Sequence, residues 1–246
     1  LDLLLRAGAF GALIPEVEAM HRLGDDPEAA LHKDVWDHTK QVVAGTPALL
    51  ELRWAALMHD VGKSQTRRVV RGKVTFHNHD VVGAFMVDRI QKRLGLFRDD
   101  RRLLDTVRSL VLNHLRPAAY KASWTDSGVR RLLSDVGGMA GFERLMLLSR
   151  ADLTTKNPGR RDRCLRRGDE LVARVKQVFA HDNAPKLPKG TMGEVLARSG
   201  RRPGPWLNGL RQALEDSLAA GVLEAGRDVE FYVAEGMRAL SKEDDR

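Results

Sequence analysis

The sequence has a single cysteine, Cys164, among its 246 residues. One thiol cannot form an intramolecular disulfide, and it cannot supply a zinc site that needs several cysteines, so a disulfide-stabilised secreted scaffold is not expected. No apolar run approaches the roughly 18–20 residues that a membrane-spanning helix needs. No cationic segment followed by an apolar one opens the chain, which favours a cytoplasmic protein without membrane contact.

The composition is ordinary for a globular protein except in its charge. Hydrophobic residues make up 43% and charged residues 30% of the chain, and the length is sufficient to bury a sizeable core. The formal net charge of +8 indicates a polyanionic partner, although a basic surface that meets only solvent would explain it equally well.

Hydrophobic periodicity predicts helix along almost the whole chain. The exception is 68–76, where two short β-branched arms flank a glycine and predict a hairpin. Asp34 and Asn78 are expected to cap the helices that follow them, and Gly62 is expected to end the helix that begins at Leu49. The predicted fold class is therefore all-α, a helical bundle with one short β-hairpin and a small C-terminal helical segment.

A linker rich in lysine and proline, 185–190, separates that last segment from the bundle. The predicted domains are an N-terminal helical segment over 1–30, a main domain over 31–183 and a C-terminal helical tail over 186–246.

Histidines and aspartates occupy core-facing positions on otherwise apolar stretches. His114 continues the helical stripe of Val107 and Leu110, and Asp152 continues that of Leu145 and Leu148. An aspartate that loses its water without a partner costs several kcal/mol or more, so such residues need a common partner. A divalent cation is the simplest one, which predicts a metal site formed by His38, His59, Asp60, His79, His114 and Asp152.

Each of these residues also has a structural explanation. A lone core histidine such as His38 is more commonly a hydrogen-bonded structural residue than a ligand. Asp60 and Asp152 could instead pair with Arg53 and Arg150, which lie near them in sequence. The joint pattern favours the metal site, because it is much less probable by accident than any one of its members.

The chemistry of the predicted ligands leaves room for a reaction. His59 and Asp60 point about 100° apart on a regular helix, so both reach one ion only where the chain turns near Gly62. Two histidines and two aspartates suit Mn, Mg, Ni, Co, Fe or Zn and leave positions open for water. His79 and His114 are either ligands of a second ion or acids that protonate a leaving oxygen, and Lys63 could clamp a phosphate.

The blocks around these residues resemble a known family. They comprise His38, His59-Asp60-Val61-Gly62-Lys63, Phe76-His77-Asn78-His79, Asn113-His114 and Asp152. With them, the sequence resembles the HD superfamily of metal-dependent phosphohydrolases, and most closely the HD domain in the C-terminal half of bacterial CCA-adding tRNA nucleotidyltransferases. Further similar blocks, Trp124-Thr125-Asp126, the run 151–157 and Gly204-Pro205-Trp206, extend the resemblance over nearly the whole chain.

The resemblance implies roles for individual residues and identifies 31–183 as an HD phosphohydrolase domain. His38, His59, Asp60 and Asp152 would bind one ion, His79 and His114 a second, with Asp60 as a bridge. The implied activity is hydrolysis of 2′,3′-cyclic phosphodiesters or phosphomonoesters in nucleotides or RNA ends. The candidate catalytic residues are Asp60, Lys63, His79 and His114, and the candidate substrate-phosphate contacts are Lys63, Arg130 and Arg131.

Two other functions stay open. The chain lacks the nucleotide-cradling loop and Asp-x-Asp pair of the nucleotidyltransferase head, so alone it is not expected to add nucleotides to tRNA. It could be a tRNA-binding body or split subunit with a vestigial HD site, or a nucleotidase for 5′-phosphates. Basic residues that could contact tRNA, or merely form a solvated face, are Lys156, Arg160, Arg161, Arg163, Arg166, Arg167, Arg201 and Arg202. The sequence gives no oligomeric state.

Overall fold

A computed structural model describes residues 1–25 and 34–244 of the chain. The chain divides into two units, Leu1–Val178 and Phe179–Arg246. The structure confirms the all-α prediction, because helices dominate both units and the only strands among the described residues form one hairpin. In these two ranges no helix combines the length and the apolar character that crossing a membrane requires.

The first unit is built from helices, the last of which extends past the end of the unit at Val178. They are α1 (Asp2–Arg6), α2 (Ala9–Leu13), α3 (Pro15–Arg22), α4 (Val35–Gly45), α5 (Leu50–Met58), α6 (Lys63–Thr66), α7 (His79–Leu94), α8 (Arg101–Asn113), α9 (Arg116–Ala119), α10 (Asp126–Asp135), α11 (Gly138–Asp152) and α12 (Pro158–Asn183). Pro15 opens α3 at a position where its missing N–H costs nothing.

Two predicted helix caps differ in their outcome. The Asp34 side chain accepts a hydrogen bond from the Asp37 backbone N–H, as expected for the cap of α4. Asn78 precedes α7 but makes no capping side-chain bond, so that prediction was wrong. Its φ angle of 60° instead places Asn78 in the left-handed region, which asparagine tolerates, and turns the chain from the hairpin into α7.

The hairpin predicted over 68–76 is confirmed. Strands β1 (Arg68–Val70) and β2 (Lys73–Thr75) pair antiparallel. The two turn residues, Arg71 and Gly72, have φ angles of 53° and 71°. Two consecutive left-handed residues match the twist of the flanking strands, which is why a glycine is favoured in this turn.

Helix α5 lies at the centre of the first unit because it is apolar on nearly every side. Leu52 and Ala55 pack into one core cluster with residues of α4, α8, α10, α11 and α12. Met58 packs into a second cluster with residues of α2, α3, α4, α7 and α8. A helix enclosed in this way ends in the interior, so His59 and Asp60, the next two residues, are only 1% and 2% exposed.

Gly62 does not terminate a helix in the manner predicted. Its φ angle of −66° is open to any residue, so no left-handed turn requires glycine there. Glycine is required because the backbone of α7 lies very close. A Cβ atom at this position would be 2.1 Å from the carbonyl oxygen of His79 and 2.7 Å from the Gly83 nitrogen. The missing side chain therefore lets the segment after His59-Asp60 lie directly against the first turn of α7.

The second unit contains three helices of its own, α13 (Thr191–Ser199), α14 (Pro205–Ala219) and α15 (Val229–Asp244). Their shared apolar core includes Val195, Leu210 and Val233. The Tyr232 hydroxyl donates to the Glu224 carbonyl at 2.8 Å, which ties the loop before α15 to that helix.

Candidate metal centre

The structure brings all six predicted ligand residues to the interior ends of helices around the end of α5. Each residue lies in a helix or within two residues after one: His38 in α4, His59 and Asp60 after α5, His79 first in α7, His114 after α8 and Asp152 last in α11. Packing of α8 against α5 and α7, and of α11 against α4 and α5, holds these ends together.

The first group of donor atoms comprises His38, His59, Asp60 and Asp152. The Nε2 atoms of His38 and His59 are 3.2 Å apart. Oδ2 of Asp60 lies 3.2 Å from Nε2 of His59 and 3.6 Å from Nε2 of His38. Oδ1 of Asp152 lies 2.9 Å from Nε2 of His38. Four side chains thus direct nitrogen or oxygen atoms at one small volume.

The second group shares Asp60 with the first. Its other oxygen, Oδ1, lies 3.3 Å from Nε2 of His79 and 4.0 Å from Nε2 of His114. The two histidine nitrogens are 3.2 Å apart. One buried carboxylate therefore turns one oxygen toward each pair of histidines, which is the arrangement of a bridging ligand.

The ring orientation of every histidine is fixed through its Nδ1 atom. In His59, His79 and His114 this atom donates to the backbone carbonyl three residues earlier, at 2.7–2.8 Å. Nδ1 of His38 instead lies 2.9 Å from the Thr154 hydroxyl oxygen. A proton held on Nδ1 leaves the Nε2 lone pair of a neutral imidazole free to bind a metal.

The spacing of these atoms fits a bound cation. Two adjacent donors held at about 2.0–2.1 Å from one ion lie about 2.8–3.4 Å apart in octahedral or tetrahedral geometry. Both histidine pairs, at 3.2 Å, match that separation. Imidazole with carboxylate suits Zn, Mn, Fe, Co or Ni, so the donor set fits the predicted divalent metal.

The charges of His59 and Asp60 depend on one another. Burial alone would lower the pKa of His59, but the carboxylates of Asp60 and Asp152 raise it to about 9. Burial opposes ionisation of Asp60 as well, yet His59, His79 and Lys63 hold its pKa well below the usual range. Without metal, a proton on His59 therefore takes part of the cation's place beside two ionised carboxylates.

His114 behaves in the opposite way. Burial, together with the charge on His59, lowers its pKa to about 4, so the ring is neutral at pH 7. A neutral, buried imidazole is a good ligand and a poor proton donor. A neutral His114 is compatible with the ligand role, and its role at the centre stays a prediction.

Lys63, predicted as a catalytic and phosphate-binding residue, touches the cluster directly. Its Nζ donates to Oδ2 of Asp60 at 2.6 Å and lies 5.5 Å from the centre of the Phe76 ring. The arginine alternative for the aspartates is wrong, because Arg53 donates to backbone carbonyls of Val43 and Pro47 and Arg150 pairs with Asp169.

Arg130 and Arg131, the other predicted phosphate contacts, lie exposed on α10. Neither lines the cavity that reaches the metal ligands among the described residues. Their contact with a substrate stays a prediction.

A cavity of about 600 Å³ reaches the cluster from the side of His38 and Asp152. Its wall includes three residues without a predicted role at the metal centre, Thr154, Lys156 and Arg160. Thr154 orients His38 from 116 positions away in sequence. The only signal for it was its place two residues after the predicted ligand Asp152.

Comparison with known proteins agrees with this geometry. Residues 29–174, more than half of the chain, match the model of the HD domain. The chain belongs to the HD-domain family. This match confirms the family predicted from His38, the His59-Asp60 doublet and Asp152.

The HD-domain protein is also related to CCA-adding enzymes. It is 30% identical over 212 residues to the A-adding tRNA nucleotidyltransferase of Deinococcus radiodurans, a match that covers 82% of this chain and 46% of that protein. It is 30% identical over 233 residues to the CC-adding tRNA nucleotidyltransferase of Thermus thermophilus, with 90% and 49% coverage. The chain therefore spans about half the length of these two relatives.

Proposed function

We propose that this HD-domain protein is a metal-dependent phosphohydrolase that opens 2′,3′-cyclic phosphodiesters or removes phosphate from nucleotides and RNA ends. The observation that carries the proposal is the completeness of the cluster. All six ligand positions hold a histidine or an aspartate, and Asp60 faces both histidine pairs. The Nδ1 atom of each of the four histidines has a hydrogen-bond partner.

In this proposal the residues of the cluster form two adjacent binding positions for divalent ions. His38, His59 and Asp152 would hold one ion, His79 and His114 the other, and Asp60 both. Divalent ions bound there would lower the pKa of bound water and polarise a phosphoryl oxygen. Lys63, which reaches Asp60 at 2.6 Å, supplies positive charge beside the position of the phosphate.

Access supports hydrolysis at the His38 side of the cluster. Asp152 keeps 28% of its side chain exposed, whereas His59, Asp60 and His114 are nearly closed to solvent. A phosphate that enters through the cavity meets His38 and Asp152 first. The buried residues His59, Asp60 and His114 then provide a fixed electrostatic environment for that phosphate.

The experiment is a screen of purified protein with each of Mn, Mg, Ni, Co, Fe and Zn. The substrates are 2′,3′-cyclic nucleotides, 2′-, 3′- and 5′-monophosphates, and bis(p-nitrophenyl) phosphate. We expect turnover of cyclic nucleotides, loss of that turnover in His59→Gln, and retention in His181→Gln, which changes an exposed histidine. Preferred turnover of 5′-monophosphates would favour a nucleotidase, and turnover that survives His59→Gln would contradict the metal centre.

A second candidate function is that of a tRNA-binding body of a larger or split enzyme. It is supported by the similarity to two tRNA nucleotidyltransferases, of which this chain spans about half the length. Binding of tRNA that weakens steeply with salt, in a protein that hydrolyses none of the substrates with any of the metals, would favour it. The same titration with His59→Gln tells whether tRNA binding depends on the metal centre.

A further inference from the structure

The lining of the cavity beside the metal centre includes two cations whose charges are not used elsewhere in the described structure. Lys156 and Arg160 line the cavity together with the ligands His38 and Asp152. In the described ranges, neither the Lys156 ammonium group nor the Arg160 guanidinium group forms an ion pair. Two cations thus face a cavity that is continuous with the metal centre.

Two acidic residues, Asp34 and Asp37, also line the cavity, and both have partners within the protein. Asp34 caps α4 through the bond from the Asp37 backbone. The Asp37 carboxylate pairs with Lys40 at 2.9 Å. Lys156 and Arg160 are therefore the lining cations that remain available to an anion.

The size of the cavity fits more than an isolated phosphate. Its volume of about 600 Å³ lies within the range of about 300–1,000 Å³ that is usual for sites of drug-sized ligands. Its lining combines two metal ligands with two cations that form no ion pair in the described part of the chain. A ligand with two separate anionic groups suits this combination.

We infer that Lys156 and Arg160 form a second phosphate subsite, which selects RNA ends over mononucleosides as substrates of the proposed hydrolase. This inference rests on the proposed function. In this arrangement the terminal phosphate of an RNA end lies beside His38 and Asp152. The next phosphodiester toward the 5′ side, which a nucleoside 2′,3′-cyclic phosphate lacks, lies against Lys156 and Arg160.

The test compares two substrates in two double variants of equal charge. One double variant is Lys156→Gln with Arg160→Gln. The control is Lys121→Gln with Lys176→Gln, two exposed lysines of the same unit that do not line the cavity. The substrates are a short RNA that ends in a 2′,3′-cyclic phosphate and the matching nucleoside 2′,3′-cyclic phosphate.

We expect the first double variant to lose about tenfold or more in kcat/KM on the RNA, because two charge-assisted contacts disappear, and less than about twofold on the nucleoside. The control should lose little on either substrate. Equal losses on both substrates, or no loss on the RNA, would overturn the subsite.

A binding measurement separates this inference from the proposed function. Fluorescence anisotropy with metal-free protein and a labelled RNA that ends in a 3′-phosphate needs no turnover. Weaker binding by the Lys156 and Arg160 double variant than by the control supports the subsite even if no substrate is hydrolysed. Equal binding by the two double variants would overturn it even if the protein proves to be a hydrolase.

Discussion

Replacement of Gly62 by alanine should damage the fold and the metal centre together. A Cβ atom there would lie 2.1 Å from the His79 carbonyl oxygen, whereas ordinary contact begins at 3.4 Å. The segment after Asp60 and the start of α7 must therefore separate by about 1.3 Å, the difference between these two distances. Backbone atoms cannot rotate away as a side chain can, so the cost should reach the upper end of the range for overpacking, about 3 kcal/mol.

The displacement also separates the ligands. Asp60 lies two residues before Gly62, and His79 supplies the clashing carbonyl, so the distance of 3.3 Å between Asp60 Oδ1 and His79 Nε2 should lengthen. A shift beyond about 0.5 Å already exceeds what a preorganised site tolerates. The ion held by Asp60, His79 and His114 should therefore be the first to be lost.

The assay combines thermal unfolding with metal content by elemental analysis. We expect the melting temperature of Gly62→Ala to fall by about 6–12 °C, on the scale of about 2–4 °C per kcal/mol for a unit of this size. The control is Gly128→Ala in α10, where the nearest atom to a new Cβ, Thr125 Oγ1, is 3.6 Å away; its stability should stay or rise slightly. Unchanged stability and metal content in Gly62→Ala would refute the reasoning.

Two further predictions follow from the site. Thr154→Val removes the hydroxyl that orients His38, so one ion should bind about 10–100-fold more weakly by calorimetric titration with Mn²⁺, while Thr154→Ser should retain affinity; an unchanged isotherm for Thr154→Val would contradict this role. The metal-free protein should be most stable near pH 6.5. The pKa of His114 is lowered to about 4, so its contribution to stability is complete above pH 6.5 and is lost as the pH falls toward 4. The pKa of His59 is raised to about 9, so its contribution is complete below pH 6.5 and is lost as the pH rises through 9. Melting temperatures from pH 4 to 9.5 that change in one direction only would contradict these assignments.

Local pattern was sufficient to predict much of the fold. Apolar residues at helical spacing predicted the helices, and the glycine between β-branched arms predicted the hairpin, because both depend on neighbours within a few residues. The same spacing placed His114 and Asp152 on core-facing stripes. Buried polar residues on several helices must share a partner, so the convergence at the end of α5 was also predictable.

Features that depend on distant contacts were not predictable in this way. The role of Gly62 depends on how closely α7 approaches, and no local pattern encodes that distance. The bond of Thr154 to His38 joins residues 116 positions apart. Lys156 and Arg160 read only as members of a basic run until the fold placed them in one cavity with His38.

The sharing of Asp60 between the two histidine pairs would make occupancy of the two proposed ion positions interdependent. The first cation to bind would neutralise part of the charge of Asp60, whose two oxygens face the two positions, and its own charge would repel the second. The second ion should therefore bind more weakly than the first, a negative coupling that acts equally in both directions. At free metal concentrations between the two dissociation constants, most molecules would carry one ion. The fraction of molecules with both ions would then depend on the free metal concentration and not on the fraction that is folded.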